Sequence, residues 1–194
     1  MKIFIWISLV CIFFAFGIAG YLSKRVIYKP DYLLIDRFKR IEIREYKKIL
    51  IATTVGGSSY KDATYSGFRT LANYIFGGNE KNIKIPMTAP VITTMPNNDN
   101  THISFIMSQN YSLETLPIPE SNQIMFKEVS LGKVAVIKFG MWATPKRIIK
   151  MKKKLENFLF ENKINISSEY LVAQYNSPWV MPPFRKNEII VSIN

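Results

Sequence analysis

The sequence contains very little of what metal and redox sites are made from. Its 194 residues include one cysteine and one histidine. A single cysteine excludes a disulfide framework and a thiolate metal cluster, and a single histidine excludes paired-histidine zinc motifs. Ser/His/Asp sets and paired-carboxylate clusters are also lacking in practice, so we do not expect an enzyme.

Negative charge is scarce as well. Asp and Glu number 14 against 26 Lys and Arg, which gives a formal net charge of +12 and favours anionic partners. No helix-turn-helix, zinc-finger or RNP signature accompanies this charge, so nucleic acid is not expected as a partner. Hydrophobic residues, by contrast, make up 48% of the chain and aromatic residues 13%. This composition is enough for one folded domain with a substantial core.

The longest apolar run lies at the start of the chain. Residues 3–22 carry no charge, and about 20 residues at 1.5 Å each span the roughly 30 Å of a bilayer core. We therefore expect a transmembrane helix over residues 1–22, a juxtamembrane linker over 23–35 and a domain over 36–194. A signal peptide is the alternative, because Gly17-Ile18-Ala19 is a small-x-small pattern after an apolar run.

The charges that flank this run predict the side on which the domain lies. Lys24, Arg25 and Lys29 follow the run, while Lys2 alone precedes it. The positive-inside rule then favours a single-pass, membrane-anchored protein with a cytoplasmic body. A signal sequence would instead place the body in the periplasm or outside the cell.

The rest of the chain resembles two copies of one ββαββ unit. Alternation of apolar and polar residues predicts strands, and apolar residues at helical spacing predict a helix between the strand pairs. The strands of the first copy are expected at residues 41–46, 49–55, 88–95 and 102–107. Those of the second copy are expected at residues 124–130, 133–139, 171–175 and 188–193. The helices are expected to begin near Tyr60 and Pro145, and Gly56 and Gly140 end equivalent strand pairs.

One such copy cannot bury both faces of its sheet with one helix, whereas two joined copies can close into a barrel. The predicted fold is therefore α+β. It is a pseudo-twofold repeat of ββαββ units that forms a distorted antiparallel β-barrel of about eight strands, flanked by two α-helices and preceded by the transmembrane helix. A cleft between such halves is a natural site for a small molecule.

The loop before the last strand has the most unusual composition. Residues 175–188 contain three prolines, which stiffen the loop and reduce the entropy lost on binding. Trp179, Met181 and Phe184, followed by Arg185 and Lys186, suit a flat apolar ligand with acidic tails. A hydrophobic lid over the end of the barrel explains the same residues equally well.

Several motifs together resemble the SOUL haem-binding protein family. They occur in the family's order between about residues 36 and 193. The motifs are Ile43-Arg44-Glu45-Tyr46, Gly67-Phe68-Arg69-Thr70-Leu71, Tyr74-Ile75-Phe76-Gly77-Gly78-Asn79, Met87-Thr88-Ala89-Pro90-Val91 and the proline-rich segment 175–188.

The resemblance implies the pseudo-twofold barrel and the binding of haem or another porphyrin. In the family the ligand is thought to lie between the first helix and the proline-rich loop. The residues that this implies here are Tyr65, Phe68, Arg69, Ala72 and Asn73 from the helix, and Trp179, Met181 and Phe184 from the loop. Arg69 is the main candidate to meet the propionates, with Asn73 as a neutral neighbour.

The sequence differs from some members of the family in the residue that would ligate the haem iron. A histidine proposed as axial ligand in some members has no counterpart, because His102 lies elsewhere and is more simply an exposed strand residue. Haem is therefore expected to be held non-covalently, without a strong axial ligand, and mainly by buried apolar area.

The sequence thus predicts a membrane-anchored carrier or buffer of a tetrapyrrole, with protein partners unknown. The alternative is an effector-sensing or protein-interaction module on the same fold that binds no haem in the cell. Enzymatic action on a tetrapyrrole is a third, less favoured hypothesis.

Overall fold

The structure is a computed structural model that describes residues 27–57, 59–96, 100–177 and 179–194. These ranges contain seven strands, two α-helices and one short 3-10 turn. The strands are β1 (Tyr32–Phe38), β2 (Ile41–Val55), β3 (Val91–Thr94), β4 (His102–Ile106), β5 (Met125–Phe139), β6 (Leu171–Gln174) and β7 (Asn187–Ser192). The helices are α1 (Tyr60–Ile75) and α2 (Pro145–Glu161), and the 3-10 turn is Pro182–Phe184.

Six of the strands close into an antiparallel barrel. Neighbours follow the order β2-β4-β3-β6-β7-β5, and the long β2–β5 pairing closes the ring. β1 pairs with the first part of β2 outside this ring. Closure gives each of the six ring strands a neighbour on both sides for at least part of its length. The predicted α+β barrel with two helices is therefore confirmed.

The repeat differs from the predicted one. Its unit is βαββ, because β2 and β5 are each one continuous 15-residue strand where two short strands were expected, and the described residues hold seven strands where about eight were predicted. In β2 the alternation of buried side chains shifts at the exposed pair Lys47-Lys48, while the pairing with β5 continues from Ile41↔Ile137 to Thr53↔Met125. Gly132 of β5 pairs close to this point with φ +58°, a left-handed conformation suited to glycine. In the sequence, a shift in the alternation of apolar and polar residues within one strand looks like a turn between two strands.

Each helix covers one half of the barrel from outside. α1 packs on the second part of β2 and on β4, and it begins at the N-cap Ser59, whose hydroxyl accepts from the Asp62 amide. Gly67 allows the close approach, since a Cβ there would lie 2.6 Å from Ile103 Cδ1. α2 packs on β5 and β7 after the N-cap Thr144.

A second apolar layer fills the barrel itself. It consists of side chains on the strand faces opposite the helices, in two neighbouring clusters. The buried members are Tyr46, Val134, Val136, Ala173 and Ile190 at one end, and Ile49, Ile92 and Ile106 towards the other. The interior is thus a packed core, and a site for a ligand must lie at an end of the barrel or outside it.

The expected localisation as a single-pass membrane protein is corrected by the structure. Among the residues that the structure describes, no helix is long and apolar enough to cross a bilayer. α1 and α2 have 16 and 17 residues, against the roughly 20 apolar residues that a span requires, and each turns one polar face to solvent. The segment predicted as the anchor, residues 1–22, lies outside the described residues.

The segment before β2 belongs to the fold. β1 begins at Tyr32, inside the range 23–35 that the sequence analysis assigned to a linker. Just before it, the Ala89 amide donates to the Tyr28 carbonyl at 2.9 Å, which fixes this segment across the barrel. All seven side chains of β1 are exposed, so the alternation that normally marks a half-buried strand carries no signal here.

Candidate functional site

One end of the barrel holds a cluster of buried charges around Arg44 of β2, which is 1% exposed. Its guanidinium donates to Glu42 Oε2 at 2.7 and 2.9 Å and to the two carboxylate oxygens of Glu188 at 2.8 and 3.0 Å. Glu42 Oε1 also accepts from Lys138 Nζ at 2.6 Å and from Arg37 Nε at 2.9 Å. Buried charges are tolerated only when they are paired in this way, and the cluster ties β1, β2, β5 and β7 together.

Three tyrosines complete the cluster. Arg44 Nη1 donates to the Tyr46 hydroxyl at 2.9 Å, and the Tyr175 hydroxyl donates to Glu188 Oε2 at 2.6 Å. The Tyr32 ring lies 4.2 Å from the Arg44 guanidinium carbon and 5.3 Å from the Tyr46 ring centre. The Arg44 fork is thus engaged on its edges by oxygen atoms and on one face by a ring.

Burial and these partners set the protonation of the cluster. Burial raises the pKa of Tyr46 to about 12, and burial together with the Glu188 charge raises the pKa of Tyr175 further above its ordinary value. Burial opposes ionisation of Glu42, but the hydrogen bonds from Lys138 and Arg44 outweigh it and lower the pKa of this carboxyl. At neutral pH both phenols are therefore protonated and Glu42 is charged.

A cavity of about 510 Å³ opens over this cluster. Its volume falls within the range of roughly 300–1,000 Å³ that is typical of small-molecule sites. The walls come from the segment before β1, from the start of β2, from the end of β5 and from the β6–β7 connection. The lining residues are Lys29, Pro30, Tyr32, Arg40, Arg44, Tyr46, Lys138, Phe139, Gly140, Tyr175, Arg185, Lys186, Asn187 and Glu188.

The rim of the cavity is basic. Lys29, Arg40 and Lys186 are exposed there, and Lys29 Nζ lies 5.7 Å from the centre of the Tyr175 ring. Among the described residues, no carboxylate oxygen lies within 4 Å of the charged nitrogens of Arg40 or Lys186. The rim cations are therefore available to an anion, whereas Arg44 below them is fully engaged.

The proline-rich loop between β6 and β7 forms one side of this rim. Its carbonyl at Pro182 accepts from the Met141 amide at 3.1 Å, and its Arg185 guanidinium lies 3.5 Å from the centre of the Trp142 ring. Three predicted residues of the loop are exposed, Trp179 at 93% with Met181 and Phe184 beside it in sequence. One loop thus supplies cations to the cavity and apolar side chains to its surroundings.

The predicted residues of α1 lie elsewhere. Phe68 is half-buried, with its ring 5.3 Å from that of Phe105 on β4, and Ala72 is also half-buried. The other three, Tyr65, Arg69 and Asn73, are exposed. Of the described residues that line the cavity, none belongs to α1. The loop contributes Arg185 and Lys186 to the cavity, but its predicted residues Trp179, Met181 and Phe184 are not among the lining residues either. A role in binding therefore stays a prediction for all eight residues.

The charges at the base of the cavity could not be identified as a site from local sequence patterns. Arg44 and Glu42 were interpreted as the polar side of an alternating strand, which normally faces solvent. Their buried partner Glu188 lies 144 positions away from Arg44 in sequence, so no local pattern links them. The available signal was that Arg44 and Glu188 both fall within motifs that carry the family resemblance.

Comparison with solved structures supports the fold. A hydrolase from Listeria innocua superposes with a TM-score of 0.58 at 7% identity, over 82% of this chain and 94% of that one. The C-terminal domain of EcmrR also gives a TM-score of 0.58, at 10% identity, over 84% of this chain and 98% of that one. At such low identity the likeness shows a shared fold and nothing about function.

Comparison with curated sequences supports a closer relationship. Heme-binding protein 2 of Homo sapiens is 30% identical over 156 residues, which cover 76% of this chain and 75% of the relative. Heme-binding protein 1 of Xenopus laevis is 27% identical over 156 residues, 76% of this chain and 80% of the relative. The model of the SOUL heme-binding protein family matches residues 27–192, from the segment that walls the cavity to the end of the last strand. The chain belongs to the SOUL heme-binding protein family, whose description supports haem binding and a tetrapyrrole as the partner.

Proposed function

We propose that the protein binds haem at the open end of the barrel and acts as a carrier or buffer. The observation that supports this proposal is the cavity over the Arg44 cluster, with its uncommitted cations and its aromatic walls. Family membership supplies the class of ligand, and the family is described by binding rather than by catalysis.

The residues of the cavity fit a porphyrin with acidic tails. Lys29, Arg40 and Lys186 offer charge for two carboxylates at the rim. Tyr32 and Tyr175 add aromatic side chains to the lining, which suit a flat apolar ligand. The Arg44 cluster at the base of the cavity already holds β2 and β7 together, so less free energy is lost to ordering these strands when a ligand binds.

Haem is proposed to bind here without a strong axial ligand, and two tyrosines of the cluster support this part of the proposal. A phenol coordinates ferric iron as phenolate, and the raised pKa values of Tyr46 and Tyr175 oppose the loss of that proton. Both hydroxyls are also engaged, with Arg44 and with Glu188 respectively. The affinity of this site then depends on contact area and on carboxylate–cation pairs.

The proposal gives a role to the predicted residues of the loop but none to the predicted residues of the helix. Trp179, Met181 and Phe184 belong to the loop that forms the rim, so we assign them to cover the ligand face. Arg69 and the other helix residues were expected from the resemblance alone. Their role in binding stays a prediction, which haem titration of Arg69→Glu tests.

Haem titration of the full chain tests the proposed site. We expect a Soret shift that saturates at micromolar haem, and at least tenfold weaker binding for the double variant R40E/K186E. The matched control is K81E/K84E, which makes the same change of charge on exposed lysines outside the cavity. Equal weakening by both double variants would mean that net charge and not this cavity holds the ligand.

A transfer assay tests the carrier role. Haem-loaded protein is mixed with apomyoglobin, and we expect the haem to pass to that acceptor with its porphyrin ring intact, so that the Soret band changes to that of haem-loaded myoglobin. Conversion of the bound pigment to an open-chain product under reductant would contradict a carrier and would favour enzymatic action.

A further inference from the structure

The solvent face of α2 is a row of cations. The helix carries six basic residues and two acidic ones, and its buried stripe is Ile148, Met151, Leu155 and Leu159. Five of the six basic residues are exposed on the opposite side: Lys146, Arg147, Lys150, Lys153 and Lys154. At 100° per residue, they share one face that runs along about two and a half turns.

This arrangement destabilises the helix that carries it. Lys150 has a cation at each of its four helical neighbours, Lys146, Arg147, Lys153 and Lys154, and like charges at these spacings repel. Lys146 and Arg147 also stand in the first turn, where the helix dipole disfavours positive charge and where no acidic residue is present. Among the described residues, the ion pair on this helix is Lys152–Glu156, at 3.0 Å and away from Lys150.

α1 occupies the equivalent place in the repeat, and it has neither the like-charge neighbours nor the basic first turn without an acidic residue that α2 has. Its first turn contains Asp62, whose amide donates to the N-cap Ser59. Its basic residues, Lys61 and Arg69, are eight positions apart and do not face one another. The fold itself therefore does not require a cationic helix, and an uncompensated departure from local rules points to a function.

Two large apolar side chains border the cationic row. Ile149 is 52% exposed and Phe160 is 86% exposed, and both lie on the same flank of the row, about 16 Å apart along the axis. Phosphate backbones offer no apolar partner for such side chains, and five of the six cations are lysines, which lack the bidentate fork that phosphate sites favour. Two isolated side chains are also too few to insert into a lipid interface, so a lipid surface would attract this face by charge alone and would leave both side chains without an apolar partner.

We propose that α2 is a docking surface for a protein helix that presents a row of carboxylates beside apolar residues. Charge complementarity with Lys146, Lys150 and Lys153 fixes the register of the partner, and Ile149 and Phe160 supply the apolar contact. The surface is separate from the haem cavity and does not depend on the proposed ligand.

A designed peptide serves as the probe. It is a helical 20-mer with Glu at successive i, i+4 positions and Leu on one flank, and a scrambled peptide of the same composition is the reference. Titration by fluorescence anisotropy against the full chain should show at least tenfold tighter binding of the patterned peptide. We expect K150E to weaken that binding at least tenfold and to raise Tm, since it replaces four repulsive contacts with attractive ones.

K84E is the matched control, because it makes the same change of charge at an exposed lysine remote from α2 in sequence and outside the cavity. Haem titration of both variants should remain as for the unaltered chain. Equal binding of the patterned and scrambled peptides, or equal losses in K150E and K84E, would overturn the proposal. Tighter binding to phosphatidylserine vesicles or to duplex DNA than to the patterned peptide would overturn it as well.

Discussion

At the end of the barrel where β2 begins, the buried polar groups are charged, whereas at the end where β2 finishes they are hydroxyls. The first end holds Arg44 between Glu42 and Glu188 beneath an open cavity. At the second end Ser104 Oγ donates to Thr53 Oγ1 at 3.0 Å, and Thr53 Oγ1 donates to the Ile103 carbonyl at 3.2 Å. The two ends are related by the repeat but carry different chemistry.

This difference indicates which end of the barrel has a role besides stabilising the fold. Hydroxyl pairs are inexpensive to bury, and each contributes on the order of 1 kcal/mol. Carboxylates and a guanidinium cost several kcal/mol each to remove from water, and apolar residues of similar size often stabilise a core equally well. The energetic cost of the charged end therefore favours a role besides stability, which agrees with its position under the basic rim.

The largest expected effect comes from removing the centre of the charged end. Arg44→Met leaves Glu42 and Glu188 buried without their shared partner, and we expect a loss of about 3–5 kcal/mol in the free energy of unfolding. Urea denaturation measures it. The control Arg40→Met, at an exposed rim residue, should stay within about 0.5 kcal/mol. A loss at Arg44 no larger than at Arg40 would remove the contrast between the ends.

Acid should weaken the charged end selectively. Because the pKa of Glu42 is lowered in the folded state, its contribution to stability is present above its ordinary value of 4.5. That contribution is lost as the pH falls below 4.5 through the lowered folded value. Denaturation from pH 3 to 6 should show the stability gap between the unaltered chain and Glu42→Gln closing in this acidic window. A gap of constant size would contradict the assignment.

A smaller effect is expected on haem binding when residues outside the cavity are changed. Arg69→Glu, at the residue that the resemblance assigns to the propionates, should weaken haem binding by a few-fold, more than His102→Ala, which should change little. Both are read in the same Soret titration as the rim variants. An effect of Arg69→Glu that exceeds that of R40E/K186E would move the ligand to α1, and a larger effect of His102→Ala would contradict both placements.

The smallest effect is expected at the hydroxyl end. Thr53→Val with Ser104→Ala removes both partners of one hydrogen bond, and such paired replacements are close to neutral. Thermal unfolding should give a change below about 1 kcal/mol in the free energy of unfolding. A loss comparable to that of Arg44→Met would show that hydroxyls and charges carry equal weight in this barrel.

The sequence predicted what depends on local periodicity. The 3.6-residue spacing of Ile148, Met151 and Leu155 identified α2 and its buried stripe correctly. The number of strands was overestimated because Lys47-Lys48 interrupts the alternation inside one strand without ending it. β1 escaped notice because its side chains are exposed on both faces, so no pattern distinguishes it from a linker.

The site was predictable only in part, for a related reason. The proline-rich loop stood out by composition, and its Arg185 and Lys186 do line the cavity. The pairing of Arg44 with Glu188 depends on how two distant strands come together, and neither residue is unusual in its own segment. Recognition of such a pair requires the register of the barrel, which residue patterns do not contain.

The position of Lys29, Pro30 and Tyr32 in the cavity wall affects how this protein can be shortened. A truncation that starts at residue 36, the boundary expected from periodicity, would retain all six ring strands and discard one wall. Such a fragment would pass a circular dichroism check and still bind poorly, because the face of Arg44 that Tyr32 covers would lie open to water. A shortened chain that is used for binding experiments therefore has to begin no later than residue 27.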